Sequence, residues 1–192
     1  MIRKISRFFI FIRNIKMTSM QPYTPRFDNT HMWNIRDLRG CYPIVKYRKD
    51  SIMCRIHSNP DLSKFEYLIK LAKLEGLMDD PQANITVFVP SNKAIEPLGD
   101  NWAVNADIGW AFNLVRTSTV NRRITSELLG NSPAFYLYTR DDPNRLFITN
   151  INNQTKINNN VCILQPDIQC TNGLIHIVDK LILPTWSGMQ EQ

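Results

Sequence analysis

The run Thr171-Asn172-Gly173-Leu174-Ile175-His176-Ile177-Val178-Asp179-Lys180-Leu181-Ile182-Leu183-Pro184 constrains this chain more than any other. An Asn-Gly turn pair opens it, a stretch rich in Ile, Val and Leu follows, and a proline that cannot donate to a sheet ladder ends it. Apolar residues fill both alternating sets, with His176, Asp179 and Lys180 as the polar breaks. That pattern predicts one long strand covered on both faces. Such a strand is central, and the remaining chain has to supply the layers that cover it.

A chain of 192 residues with 43% hydrophobic content can build one good core, so a single domain with an N-terminal extension is the expected organisation. Its net charge of +6 is a local matter. Residues 1–27 carry Arg3, Lys4, Arg7, Arg13, Lys16 and Arg26 and no acid, which leaves 17 of the 23 bases to face 17 acids elsewhere. The body of the protein is therefore neutral and has no basic stripe with interleaved aromatics, which argues against a nucleic-acid groove. The basic segment contains the short apolar run Phe8-Phe9-Ile10-Phe11-Ile12, below the length of a secretory core and far below a membrane span. It admits a mitochondrial presequence, an amphipathic surface anchor, or, as the favoured expectation, a disordered tail or an upstream start ahead of Met17 or Met20. Any membrane contact would run through this segment.

Residues 28–51 read as an extension packing on the domain, a helix bearing Trp33, Ile35 and Leu38 and then an edge strand at Tyr42-Pro43-Ile44-Val45. The domain itself is expected over 52–185, with a tail at 186–192. Ser63 and Glu66 have capping-box spacing, Leu62 and Tyr67 staple spacing, and a helix over 63–75 is predicted to stop at Gly76. Asp79-Asp80-Pro81-Gln82 is a turn. Ile85 to Val89 is a buried strand ending at Pro90, after which Ser91 caps a short helix that points Ala94, Ile95 and Leu98 inward. Another helix covers Asp107 to Val115, and Thr125 caps a brief turn. Strands follow at Ala134–Tyr138 and Leu146–Ile148, then a polar loop from Asn150 to Asn160, then a strand at Val161–Leu164. Strands after helices in this order make the fold α+β.

Signs of catalysis are few. There is no Gly-x-Ser-x-Gly elbow, phosphate loop, His-Glu-x-x-His or dinucleotide fingerprint. His176 and Asp179 fall on opposite faces of a strand, so they form no dyad; His176 reads as a core imidazole bonded to backbone, and Asp179 as a paired carboxylate ordering a loop, with Lys180 at the edge. Cys41, Cys54, Cys162 and Cys170 allow three full pairings, of which Cys41–Cys54 and Cys162–Cys170 are the simplest; free buried thiols are the alternative. Cys54-x-x-His57 lacks a second pair at zinc spacing, so no metal or other cofactor is expected. Asn84-Ile85-Thr86 and Asn153-Gln154-Thr155 are glycosylation acceptors if the chain is secreted.

The central run resembles the C-terminal motif of the fasciclin-type domain, an adhesion-associated module, through Asn172, Gly173, His176 and Asp179. Ile85-Thr86-Val87-Phe88-Val89-Pro90-Ser91-Asn92 resembles that family's first motif, about 90 residues upstream, and Asn59-Pro60-Asp61-Leu62-Ser63 stands at the expected entry to its first helix. The resemblance implies a wedge of two β-sheets with helices at one side. It also implies a non-enzymatic cell-adhesion or protein-interaction role, extracellular or at the cell surface. Pro166-Asp167-Ile168 is similar to a segment that the periostin-like members carry, where Asp-Ile is tied to integrin binding. An exposed carboxylate on a rigid turn could complete a divalent-cation site on such a receptor, with Ile168 adding apolar contact. Thr117 and Ser118 stand where those members commonly have a Tyr-His pair, which counts against a simple transfer. The rival readings are an intracellular or virion-associated structural or host-interaction protein with the same fold, and a hydrolase-like or redox role through Cys54 or Cys162.

Overall fold

The computed structural model of the protein describes residues 47–183, apart from 142–143 and 152–153. The basic segment, the expected elements up to Val45, Cys41, Asn153 and the residues from 184 onward lie outside these limits. The strands are β1 (Ile85–Pro90), β2 (Thr119–Val120), β3 (Ala134–Tyr138), β4 (Arg145–Ile151), β5 (Gln154–Ile157), β6 (Val161–Cys170) and β7 (Gly173–Val178). The helices are α1 (Ile52–His57), α2 (Ser63–Leu71), α3 (Glu75–Met78), α4 (Asn92–Ile95), α5 (Trp102–Asn105), α6 (Ile108–Thr117) and α7 (Ser126–Gly130). The fold is α+β, with the strands in one mixed sheet of order β2-β1-β7-β6-β5-β4-β3.

β7 lies between β1, to which it runs parallel, and β6, to which it runs antiparallel. All six of its residues are buried, as are all six of β1. Alternation splits their side chains between two cores. Ile85, Val87, Val89, Ile175 and Ile177 meet Ile52, Phe65, Leu68, Ile69 and Leu114 from α1, α2 and α6. Phe88 and Val178 face the other way, into a cluster with Leu137, Leu146, Ile148 and Ile157 from β3, β4 and β5. Burying each such side chain contributes about 1.5–3 kcal/mol, so a strand feeding both clusters holds the helical and the stranded halves together.

β6 is the corner of the wedge. Its first residues pair with β5, the rest pair with β7, and the register shifts between Ile163 and Gln165 and again between Gln165 and Ile168. Bulges of this kind bend and twist a strand, which turns the sheet back on itself. A bridge between Val120 and Thr139 then brings β2 against the end of β3, so the sheet nearly closes.

Several local expectations change. β7 stops at Val178, and Asp179 beyond it stays tied to β6, its backbone N donating to Cys162 O (3.1 Å) while its Oδ1, in place of its carbonyl, accepts from Cys162 N at 2.7 Å. Helix α2 has no cap from Ser63 or Glu66. Asn92 Oδ1 accepts from Lys64 N (2.9 Å) and Asn92 Nδ2 donates to Pro60 O and Ser63 Oγ, so the first motif caps this helix from 28 residues away. Glu66 instead pairs with His57 and Lys70. Leu62 is buried, whereas Tyr67 is partly exposed and packs edge-on against Trp102 rather than stapling it. The helix ends at Leu71, with Lys73 in the left-handed conformation (φ 56°) in place of the expected Gly76, and Gly76 sits inside α3. Leu98 is exposed, not inward. The polar stretch 150–160 contains β5, and the strand expected to end at Leu164 runs on to Cys170.

Candidate functional site

Most polar residues of the two motif runs converge on backbone. Thr86 is fully buried; its Oγ1 donates to Arg122 O (2.8 Å) and accepts from Ile124 N (2.8 Å). His176, also fully buried, stacks on Phe88 at 5.3 Å and donates from Nε2 to Ile124 O (2.8 Å). Its Nδ1 accepts from Asp167 N at 3.2 Å. Thr86 and His176 thus hold the same segment, 122–124, against the central strands. Burial pushes the His176 pKa down, against the opposing pull of its bond to Ile124 and of Asp167, so the ring is neutral at pH 7.

Asn172 closes the other end of β7. Its Nδ2 donates to Met78 O (2.9 Å) and Asp80 O (3.0 Å), and its Oδ1 accepts from Ile52 N (2.9 Å), which ties α3 and the start of α1 to the strand. Gly173 follows at φ 153°, where an added Cβ would lie 1.9 Å from Ile85 O. Only glycine allows that approach. Ser91 Oγ caps α4 by accepting from Ala94 N, and Pro90 pairs with Val178 at the end of β1. Lys180 Nζ donates to Asn160 O.

Pro166 and Asp167 occupy the second bulge of β6, not a free turn, and Ile168 just past it pairs with Ile175. Asp167 adopts φ 57°, and both its carboxylate oxygens accept from Ser126, one from the backbone N (2.9 Å) and one from Oγ. Partial burial raises its pKa, but the bonds from Ser126 and the nearby His176 outweigh that and hold the carboxyl below its ordinary value. The expected exposed carboxylate is therefore half-buried and already partnered. Ile168 sits beside it on the rim of a shallow depression of about 250 Å³, lined also by Arg55, Ser58, Asn59, Leu62, Gln165 and Ile175. Arg55 is held by Asp50 at 3.0 Å. The sequence showed no sign of this depression, since α1 and β6 lie over 100 residues apart.

Cys162 and Cys170 lie near the start and at the end of β6, which at about 3.3 Å per residue keeps them far beyond disulfide reach. Among the described residues Cys54, Cys162 and Cys170 form no disulfide, and burial raises the Cys170 pKa to about 11. The Cys41–Cys54 pairing lies outside the described residues. His57 Nδ1 is taken by Glu66 at 2.7 Å. Asn84 lies just before β1 and is exposed. Thr117 and Ser118 are buried at the end of α6. No helix among the described residues is long and apolar enough to cross a membrane.

The family model for the fasciclin domain matches residues 60–184. Human Stabilin-1 is 28% identical over 134 residues, a match that covers 66% of this chain and 5% of that protein. Among solved structures, a FAS1 domain pair from the insect cell adhesion molecule fasciclin I superposes with a TM-score of 0.60 at 19% identity, covering 70% of this chain and 51% of that one. The chain thus spans a small part of the curated relative and about half of the domain pair.

Proposed function

The chain belongs to the fasciclin domain family, and from that premise we propose that it is a non-enzymatic adhesion or protein-interaction module, working outside the cell or at its surface. One observation carries the reading. Thr86, Asn92, Asn172, His176 and Asp179 are all bonded to backbone groups, whereas β6 presents Ile168, just past its bulge, beside a depression edged by Arg55. Groups so occupied are poor acids, bases or nucleophiles. A half-buried apolar residue next to a charged rim suits a protein contact.

The finer reading is that the partner is a metal-dependent receptor of the integrin class, reached through Asp167 and Ile168. It requires Asp167 to contribute an oxygen lone pair beyond those that accept from Ser126, or to leave Ser126 on binding. Attachment of cells to the immobilised full chain tests both levels. Ile168→Ser and Arg55→Glu are expected to reduce attachment at least about tenfold while the thermal melt stays cooperative. Attachment unchanged by both substitutions overturns the site. Loss of attachment on chelation of divalent cations supports the integrin reading, and attachment that survives chelation removes it while leaving the module.

A further inference from the structure

The edge of β3 is the feature that neither the family motifs nor the β6 bulge explains. In an antiparallel strand each residue points its N–H and C=O to the same side, and successive residues alternate. Pro133 O accepts from Asn150 N (2.9 Å) and Thr139 N donates to Asn144 O (3.3 Å), so the odd-numbered residues from 133 to 139 face β4. Ala134 and Tyr136 then face away from it. Among the described residues no backbone bond reaches either on that side. The sheet is fastened only lower down, where Val120 bridges Thr139 and Arg140 N donates to Thr119 O at 2.8 Å.

What keeps the edge open is the clamp already described. The chain after β2 would continue along β3, but Thr86 takes Arg122 O and Ile124 N, and His176 takes Ile124 O. These backbone groups are turned toward β1 and β7, and a slot of about 170 Å³ lies between 122–124 and the core-facing side chains of β3, next to its open edge. Arg122, Arg123, Ile124, Leu128, Phe135 and Leu137 line it. Ile124 and Leu137 in its lining are buried, and Leu128 is half exposed.

The charge of the rim selects the occupant. Arg122 and Arg123 are exposed and neither forms an ion pair among the described residues; Arg123 donates to Gln169 Oε1. Asp167 is engaged by Ser126 and Asp141 by Thr117 and Arg116, while Glu127 is exposed on α7. We propose that this slot docks an extended acidic segment of a protein partner, which adds as a further strand on β3 and meets Arg122 and Arg123 with its carboxylates. Main-chain pairing supplies affinity in such additions and the alternate side chains supply specificity. The matched spacing of free N–H and C=O groups suits a peptide rather than a sugar-phosphate backbone. This surface is independent of Ile168, so either site can fail without the other.

The test uses the full chain and a fluorescent octapeptide of alternating Glu and Val, followed by anisotropy and by amide exchange. Saturable binding below about 1 mM is expected, with slowed exchange at Tyr136 N–H. Arg122→Glu with Arg123→Glu is expected to weaken it at least about tenfold, as is N-methylation of alternate peptide nitrogens, a change that leaves the protein untouched. Ile168→Ser is expected to leave it unchanged. The proposal is overturned by failure of the Glu/Val peptide to saturate, by equal binding of the N-methylated peptide or of a Lys/Val peptide, or by an oligothymidylate that binds more tightly than the acidic peptide.

Discussion

β7 and β3 belong to one sheet and differ in almost every other respect. β7 is buried on both faces, and Asn172, His176 and Asp179 on or beside it are each bonded to backbone groups at under 3 Å. β3 buries Leu137 alone among its residues, shows Tyr136 and Tyr138 to solvent, and has one edge without a ladder. The contrast separates two uses of sequence. In β7 polar residues are there because buried backbone must be satisfied, and substitution there is felt as lost stability. In β3 exposed aromatics and unpaired amides contribute little to folding and are free to meet a partner.

The sharpest way to break this contrast is Gly173→Ala. A methyl 1.9 Å from Ile85 O at φ 153° cannot be absorbed without parting β1 from β7, so a loss of more than about 4 kcal/mol in denaturant titration, or failure to fold, is expected. A loss below about 1 kcal/mol would show that the β1–β7 pair is not the rigid element. Next come Ile177→Ala and Val178→Ala, which open cavities in the helical and stranded cores respectively; each is expected to cost about 2–4 kcal/mol. Comparable losses would establish that β7 serves both cores equally.

Thr86→Val keeps the shape of the side chain and strands Arg122 O and Ile124 N without a partner. It is expected to cost about 1–3 kcal/mol and to raise amide exchange at Ile124. Asp167→Asn belongs in the same range, since an amide cannot accept from both Ser126 donors as the carboxylate does. Any loss of binding in that variant therefore has to be read beside its melt.

The pH dependence of stability sharpens the comparison from another side. His176 has a lowered pKa in the folded chain, so below about 6.5 the unfolded state takes up a proton that the native state refuses. Stability is expected to fall with falling pH from there by up to about 1.4 kcal/mol per unit, until the native ring titrates. Protonation would place a hydrogen on Nδ1 facing Asp167 N–H and break that contact. The lowered Asp167 carboxyl stabilises above its ordinary value of 3.8, and that contribution is lost as pH falls through its folded value. His176→Gln should flatten the slope near pH 6, about where the unfolded imidazole titrates. An unchanged slope would mean that another group sets it.

The sequence made β7 legible because two interleaved apolar sets have only one economical reading, and it made His176 legible because a histidine inside such a run meets backbone first. It misled where a local rule met a distant partner. Ser63 and Glu66 have capping spacing, yet Asn92 reaches Lys64 N from another motif. Pro166-Asp167 has the chemistry of a turn, yet pairing with β7 carries the strand through it as a bulge. β5 was hidden because Gln154, Thr155 and Lys156 are polar residues on a strand that β4 and β6 order from either side. The depression beside Ile168 and the slot beside β3 left no trace, since each is assembled from segments whose meeting is decided by the sheet.

The smallest effect is expected at the exposed side of β3, and its smallness is what gives the comparison its use. Tyr138 is 63% exposed and lies under Arg145, whose guanidinium is 4.6 Å from the ring centre. An exposed cation–π pair is worth about 0.5–1 kcal/mol, and a side chain this open to solvent has little buried area to lose on truncation. Tyr138→Ala should therefore change stability by less than about 1 kcal/mol, against the roughly 2–4 kcal/mol set by Val178 on the neighbouring half of the same sheet. The comparison fails if Tyr138→Ala costs as much as Val178→Ala, because the fold would then depend on β3 as heavily as on β7 and the free edge could not be spared for a partner. If the cost is small, an altered affinity for an acidic peptide in the same variant can be assigned to the surface and not to the fold.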